Sequence, residues 1–289
     1  MSFSTDVKEE LSKISNLADK ASVKAEMFGY LNTINVSKEN DSIKFSTESE
    51  YNINRFNKLL NNLEINIYKI EIIGKSFCIT IPKNMSNKLE EKFIDYKITS
   101  EENIEKAFIR GAFLGSGSIN NPNNKYHMEL IVKKLDIAEK ILDILENYNI
   151  KFKLLKNKNK NNKFWVYSKD GEEISKFLAF VGANSSVIKF EEIRVYRDMR
   201  NNVNRIVNCE TANLSKTIDA ALKQINAINK LKENGIFNKL PENLQEIANL
   251  RIENPEASLV ELGNMLNEPI GKSGVNYRLK TIIKIAEES

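Results

Sequence analysis

The chain has 289 residues, of which 41% are hydrophobic and 28% are charged, and its formal net charge is +4. This length allows two domains with a substantial core, and the composition is that of an ordinary soluble globular protein. No segment approaches the roughly 18 apolar residues of a membrane span, the charged amino terminus is unlike a signal peptide, and two distant cysteines argue for a reducing cytoplasm without a disulfide framework or zinc site.

The first part of the chain repeats one order of elements, over about residues 22–100 and 101–182. Each copy begins with an apolar helical segment (25–35 and 109–114) and continues with a strand, an amphipathic helix and a two-strand hairpin. Such a duplication of a mixed unit predicts an α+β fold for this part of the chain.

Two aromatic residues of the second hairpin and the single histidine are the remaining candidates for chemistry. Trp165 and Tyr167 alternate along the apolar face of a hairpin, and we expect both in the core. His127 falls in a strand pattern with no nearby Ser, Cys or Asp arrangement that resembles a catalytic triad, which favours a partly buried strand residue over a catalyst.

The most informative run opens the second copy, at 109–119, and reads Ile-Arg-Gly-Ala-Phe-Leu-Gly-Ser-Gly-Ser-Ile. It resembles the LAGLIDADG helix of homing endonucleases, in which an aspartate at the penultimate motif position binds the catalytic metal. Ser116 stands at that position here, and Ile34 stands at the matching position of the first copy. Neither residue replaces a carboxylate ligand of a hard cation. The resemblance therefore implies the fold of a DNA nuclease without its chemistry.

Two nucleotide-binding motifs do not fit these glycines. A phosphate loop lacks its lysine after Gly117, and a dinucleotide fingerprint lacks its third glycine because Asn120 occupies that position. Close helix packing as the whole role of the glycines stays open.

Two basic segments follow. The hairpin tip at 151–163 is rich in lysine, which indicates either a solvated loop or a phosphate contact. The stretch 194–216 combines arginines with amides, and it predicts either further DNA contacts or a hydrogen-bonded interdomain linker. The arginines concerned are Arg194, Arg197, Arg200 and Arg205. An amphipathic connecting helix is predicted at 213–235.

The last segment, 236–289, predicts three short helices. Asn254-Pro255 ends the first, and Ser258 with Glu261 forms a capping box that opens the second. A turn at 267–274 precedes the third, for which Ser273 is the expected cap. The inner face of the third helix is predicted to consist of Val275, Leu279, Ile282 and Ile283.

Charge on the third helix favours a helix-turn-helix that reads DNA, because residues 270–286 contain cations and no carboxylate. The candidates to reach base edges are Lys272, Ser273, Asn276 and Tyr277, and those for phosphates are Arg278, Lys280 and Lys284. A trihelical protein-interaction module with an incidentally basic helix is the alternative.

Four ordered motifs resemble the WhiA family of bacterial DNA-binding regulators. They are the opening Met1-Ser-Phe-Ser-Thr-Asp-Val-Lys-Glu-Glu-Leu, the run from Ala107 to Ile119, Arg205-Ile-Val-Asn-Cys-Glu-Thr-Ala-Asn-Leu, and Lys272-Ser-Gly-Val-Asn-Tyr-Arg-Leu. The resemblance implies a degenerate LAGLIDADG-like domain at 1–212 and an all-α helix-turn-helix domain at 236–289, separated by the connecting helix. It also implies a transcription regulator in cell division, chromosome segregation and, in sporulating relatives, sporulation.

The expected partner is double-stranded DNA at promoter sites, with an RNA polymerase sigma factor or another regulator as a further candidate. We expect no catalysis, no cofactor and no bound metal, a monomer, and a place in the cytoplasm on the nucleoid. Two other functions remain open: a protein-interaction scaffold of the division machinery, and a divergent endonuclease or nickase with unusual metal ligands.

Overall fold

The computed structural model describes residues 2–33, 36–39, 41–156 and 163–289. The chain divides into two compact units, Met1–Asp198 and Met199–Ser289. No helix within the described ranges is both long enough and apolar enough to cross a membrane.

The first unit begins with a short helix, α1 (Phe3–Ser12), and continues with two copies of one arrangement. The first copy consists of α2 (Lys20–Leu31), β1 (Val36–Glu39), β2 (Ser42–Thr47), α3 (Glu50–Asn62), β3 (Lys69–Ile73), β4 (Ser76–Ile81) and α4 (Lys83–Glu91). The second consists of α5 (Glu102–Ser116), β5 (Ser118–Ile119), β6 (Met128–Val132), α6 (Leu135–Asn147), β7 (Lys153–Lys156), β8 (Phe164–Ser168) and α7 (Gly171–Val181).

Each copy builds a four-stranded antiparallel sheet, and the two sheets have equivalent strand orders, β1-β2-β4-β3 and β5-β6-β8-β7. Alternate residues of each strand face the helices, so that Phe45 and Ile79 of the first sheet and Leu130 and Val166 of the second are fully buried. The predicted α+β fold with a duplicated first domain is confirmed.

Helices α2 and α5, which open the two copies, pack against each other at positions where each helix has a glycine, Gly29 in α2 and Gly111 in α5. A Cβ atom on Gly29 would lie 2.3 Å from the carbonyl oxygen of Phe108, and one on Gly111 would lie 2.0 Å from the carbonyl oxygen of Glu26. The two backbones are therefore closer than any larger residue permits.

A buried charged network crosses the same helix pair. Glu26 of α2 is fully buried, and its carboxylate accepts hydrogen bonds from Arg55 of α3 at 2.7 and 2.9 Å and from Arg110 of α5 at 3.1 Å. Burial alone would raise the pKa of Glu26, but the hydrogen bonds and charges of the two arginines outweigh it and lower this pKa. The carboxylate is thus held ionised where three helices of both copies meet.

Two expectations for the first unit are wrong in detail. The helix predicted over 25–35 spans Lys20–Leu31 instead, because Asp19 caps it by accepting a hydrogen bond from the backbone N–H of Ala21. Trp165 and Tyr167 are only half-buried, since Val166 and Ser168 occupy the core face of β8. His127 lies one residue before β6, half-buried, with its Nε2 atom 3.1 Å from Glu129.

The second unit is all helical. Helix α8 (Asn184–Glu233) begins in the first unit and ends in the second, so the connecting helix predicted at 213–235 is its final part rather than a separate element. A 3-10 turn (Phe237–Lys239) follows, and then α9 (Glu242–Glu253), α10 (Leu259–Met265) and α11 (Lys272–Glu288).

Candidate nucleic-acid interface

A single small core holds the three terminal helices together. It contains apolar residues from the end of α8, the 3-10 turn and α9 to α11, among them Ile228, Leu231, Phe237, Ile247, Leu262, Val275, Leu279 and Ile282. The end of α8 therefore belongs to the folded terminal module, which is larger than the predicted segment 236–289.

One buried arginine stabilises the connection from α9 to α10. Arg251 donates from Nη1 to the carbonyl oxygens of Asn254, Pro255 and Ala257, at 3.4, 3.2 and 2.7 Å. The predicted capping box is confirmed: the backbone N–H of Ser258 donates to Glu261 at 2.7 Å, and the N–H of Glu261 donates to Ser258 Oγ at 3.2 Å. The hydrogen bonds of Arg251 and the capping box together determine where helix α10 begins.

The turn before α11 differs from the prediction. Helix α11 begins at Lys272 with Gly271 as its N-cap, so Ser273 lies in the first turn and does not cap the helix. Its inner face consists of Val275, Leu279, Ile282 and Ala286, while Ile283 is only half-buried. The turn packs tightly on α10, since a Cβ atom on Gly263 would lie 2.1 Å from the carbonyl oxygen of Ile270.

The exposed side of α11 gathers six of the seven predicted recognition residues. Lys272, Asn276, Lys280 and Lys284 follow at intervals of four residues, and they therefore line one side of the helix. Ser273 and Tyr277 lie beside this row, and Tyr277 is 74% exposed. Asn276 is half-buried and the others are exposed. We call this set of six the α11 face.

Arg278 lies apart from the α11 face. It is half-buried, and its Nη1 atom is 3.5 Å from the carbonyl oxygen of Asn243 in the first turn of α9. This contact links α11 to α9. A substitution of Arg278 would therefore change the packing of the module as well as any contact with phosphate.

The four arginines of α8 fall into two pairs. Arg194 forms an ion pair with Glu191 at 2.6 Å, and Arg197 donates to the carbonyl oxygen of Pro122 at 2.6 Å while lying over the ring of Tyr126. Arg200 and Arg205 are exposed, and within the described ranges neither has a hydrogen bond or ion pair. The second pair is therefore better suited to bind an external anion.

Ser116, at the position of the metal-binding acid, serves the packing of α5. It is buried at the end of that helix, where its Oγ atom accepts from the backbone N–H of Ile131 at 3.2 Å and lies 3.4 Å from the carbonyl oxygen of Ala112. Ile34 falls outside the described residues. Among the residues that are described, no three His, Cys, Asp or Glu side chains gather as a metal site would require.

Comparison with known proteins identifies both units. The model of the WhiA LAGLIDADG-like domain matches residues 105–200, and that of the WhiA C-terminal HTH domain matches residues 203–286. The probable cell division protein WhiA of Clostridium tetani is 38% identical over 315 residues, covering 100% of this chain and 98% of the relative. Its counterpart from Thermoanaerobacter sp. (strain X514) is 39% identical with the same coverage.

A solved structure agrees over the whole length. The crystal structure of full-length DUF199/WhiA from Thermotoga maritima aligns with a TM-score of 0.63 at 29% identity, covering 100% of this chain and 99% of that one. The LAGLIDADG-like and helix-turn-helix assignments made from sequence are thereby confirmed.

Proposed function

The chain belongs to the WhiA family, and on this premise we propose that it is a sequence-specific DNA-binding regulator of transcription without catalytic activity. The proposed partner is double-stranded DNA at promoter sites, and the α11 face is the proposed reading surface.

The arrangement of the α11 face is the observation that carries this proposal. The major groove of B-DNA admits one α-helix, whose early residues then meet base edges while nearby cations meet phosphates. Asn276 and Tyr277 lie toward the start of α11 and supply an amide and a phenol for base edges. Lys280 and Lys284 continue the same side of the helix and provide cations for the backbone.

The position of Lys272 supports a negatively charged partner. It occupies the first residue of α11, where the helix dipole is positive and a cation is unfavourable by about 0.3–1 kcal/mol. The first turn of α11 contains no acid that would offset this charge. An approaching phosphate supplies the missing anion, which accounts for a lysine at a position that disfavours it.

The absence of catalysis is supported by the chemistry at the end of α5. Ser116 presents a neutral hydroxyl where a nuclease needs a carboxylate, and that hydroxyl is already engaged by Ile131. We infer that the LAGLIDADG-like unit is a scaffold or an additional binding surface. Arg200 and Arg205 of α8, which lie in the second unit, are further candidates for DNA contact.

The relatives, which are named as probable cell division proteins, support a proposal for the cellular process. We propose a role in cell division and chromosome segregation, with sporulation added in sporulating relatives. A DNA-binding regulator of this kind acts in the cytoplasm, on the nucleoid, with a sigma factor or another regulator as a candidate protein partner. The first unit already pairs two copies of one arrangement, which supports a monomer.

Binding of the full chain to DNA tests the proposal. Fragments selected from a genomic library would be titrated by fluorescence anisotropy against wild type, Asn276→Ala and the control Lys239→Ala, which removes an exposed lysine outside α11. We expect Asn276→Ala to weaken specific binding by about tenfold or more, since one bidentate base contact contributes about 1–3 kcal/mol. Affinity for unrelated DNA should not change. A wild type without sequence preference, or an unaffected Asn276→Ala, contradicts the proposal.

A further inference from the structure

A polar cavity of about 560 Å³ lies in the first unit. It is lined by the start of α1, the connection from β2 to α3, and the ends of β4 and β5. Apart from Lys8 and the exposed Glu48, every side chain that lines it is a serine or threonine. Such a lining offers many hydroxyl donors and is mostly polar.

The register of the sheets places the cavity on the side of both sheets that faces away from their core helices. Ser46 pairs with Cys78 and shares a face with Ser76, opposite the buried Phe45 and Ile79. Ser118 of β5 also faces away from the core, because the next residue along the strand, Ile119, is buried. Helix α1 meets β5 here, where Ser4 Oγ accepts a hydrogen bond from the backbone N–H of Ile119 at 3.4 Å.

Lys8 is the only cation that lines the cavity, and it lacks a protein partner. Burial lowers the pKa of Lys8 to about 8. Its Nζ atom lies 5.9 Å from the centre of the Phe113 ring, and within the described ranges it makes no ion pair or hydrogen bond. The three acids of the same helix are engaged elsewhere: Asp6 by Lys189 at 2.7 Å, Glu9 by Lys13 at 2.6 Å, and Glu10 by the backbone N–H groups of Ser185 and Ser186.

Three hydroxyls around Lys8 are also free. Across the described residues, the side chains of Ser46, Ser76 and Ser118 form no hydrogen bond, although they come from three different strands. Lys8, Ser46 and Ser76 are half-buried and Ser118 is exposed, so the ammonium group and the three hydroxyls are open to one cavity and can donate to a ligand there.

We propose that this cavity binds a phosphate group through Lys8 and the surrounding hydroxyls. A phosphate has several strong acceptor oxygens, and it can accept from one ammonium and several hydroxyls at once. A carboxylate would satisfy fewer of these donors. The phosphate belongs either to the DNA backbone or to a free phosphorylated molecule, and both present the same chemistry to Lys8. This site is independent of the α11 face.

The full chain would be titrated calorimetrically with inorganic phosphate at constant ionic strength. Wild type and Lys13→Met are expected to bind, because Lys13 is an exposed lysine at the end of the same helix, already paired with Glu9. Lys8→Met should bind about tenfold more weakly or worse, since it loses a charged hydrogen-bond donor.

A second measurement on wild type avoids any dependence on the folding of a variant. Acetylation of Lys8 at pH 8, followed by mass spectrometry, reports its neutral fraction. A bound phosphate that raises the pKa of Lys8 by one unit should slow acetylation about fivefold, because the neutral fraction at pH 8 falls from about one half to about one tenth. Protection by inorganic phosphate and not by a short DNA duplex assigns the site to a free ligand, and protection by the duplex assigns it to the DNA backbone. Equal acetylation rates with and without both probes, together with no calorimetric signal, overturn the proposal.

Discussion

Replacing Glu26 by glutamine removes the charge that holds three helices of the first unit together. Glutamine keeps the shape of the side chain, but it leaves Arg55 and Arg110 without a counter-ion. The side chains of Glu26 and Arg55 are 0% and 1% exposed, and that of Arg110 is 7% exposed. Water therefore cannot take the place of the carboxylate.

The expected loss of stability is large because the substitution removes one partner of a buried ion pair and leaves the other charged. Removing one partner of a buried ion pair typically destabilises a protein by about 3–5 kcal/mol. Glu26 serves two arginines, so we expect Glu26→Gln to fall in the upper part of that range. The matched control is Glu102→Gln in α5, which removes the acid of an exposed pair with Lys106 at 2.5 Å and should change stability by less than about 1 kcal/mol.

Urea unfolding monitored by tryptophan fluorescence measures this effect in the first unit alone, because Trp165 of β8 is the only tryptophan of the chain. The difference between wild type and Glu26→Gln should also depend on pH. The folded-state pKa of Glu26 is lowered, so its stabilisation is present above the unfolded pKa and is lost as pH falls through the folded one. The difference should therefore shrink below about pH 4. A Glu26→Gln variant within about 1 kcal/mol of wild type at pH 7 would refute the role of this network.

Three further outcomes are expected. Gly111→Ala should destabilise the first unit by about 3 kcal/mol or more in the same urea assay, since its Cβ atom would lie 2.0 Å from the backbone oxygen of Glu26; a neutral effect would show that α2 and α5 can separate freely. Ser258→Ala should cost the terminal module about 1 kcal/mol through loss of the capping box, measured by the thermal midpoint of circular dichroism, and an unchanged midpoint would contradict the importance of the cap. The double variant Lys280→Ala/Lys284→Ala should make the slope of log affinity for DNA against log salt less steep by about 1.8, because each phosphate contact contributes about 0.9. An unchanged slope would place both lysines away from the backbone.

The elements with a strong periodic pattern were predictable from sequence. Apolar residues at helical spacing indicated α3, α6 and α9, and the capping box located the start of α10 within one residue. Helix ends that depend on a backbone cap were not: Ser273 resembles an N-cap in sequence, but Gly271 fills that role because the turn packs on Gly263. A local pattern contains no information on that tertiary contact.

Features made by residues distant in sequence also escaped prediction. Glu26, Arg55 and Arg110 come from three helices, and nothing in their local sequence indicates that they meet. The same holds for Lys8 and the serines of β2, β4 and β5, which only the assembly of both sheets brings to one cavity. The two faces of β8 were assigned the wrong way round, because Trp165 and Tyr167 are more apolar than Ser168, which lies on the core side.

Genome-wide chromatin binding tests most directly whether the α11 face reads DNA. Wild type would be compared with the triple variant Asn276→Ala/Tyr277→Ala/Lys280→Ala, whose changes leave the buried residues Val275, Leu279 and Ile282 intact. We predict discrete promoter peaks for wild type that disappear in the variant at equal protein abundance. Peaks that persist at the same sites and heights would contradict recognition through α11.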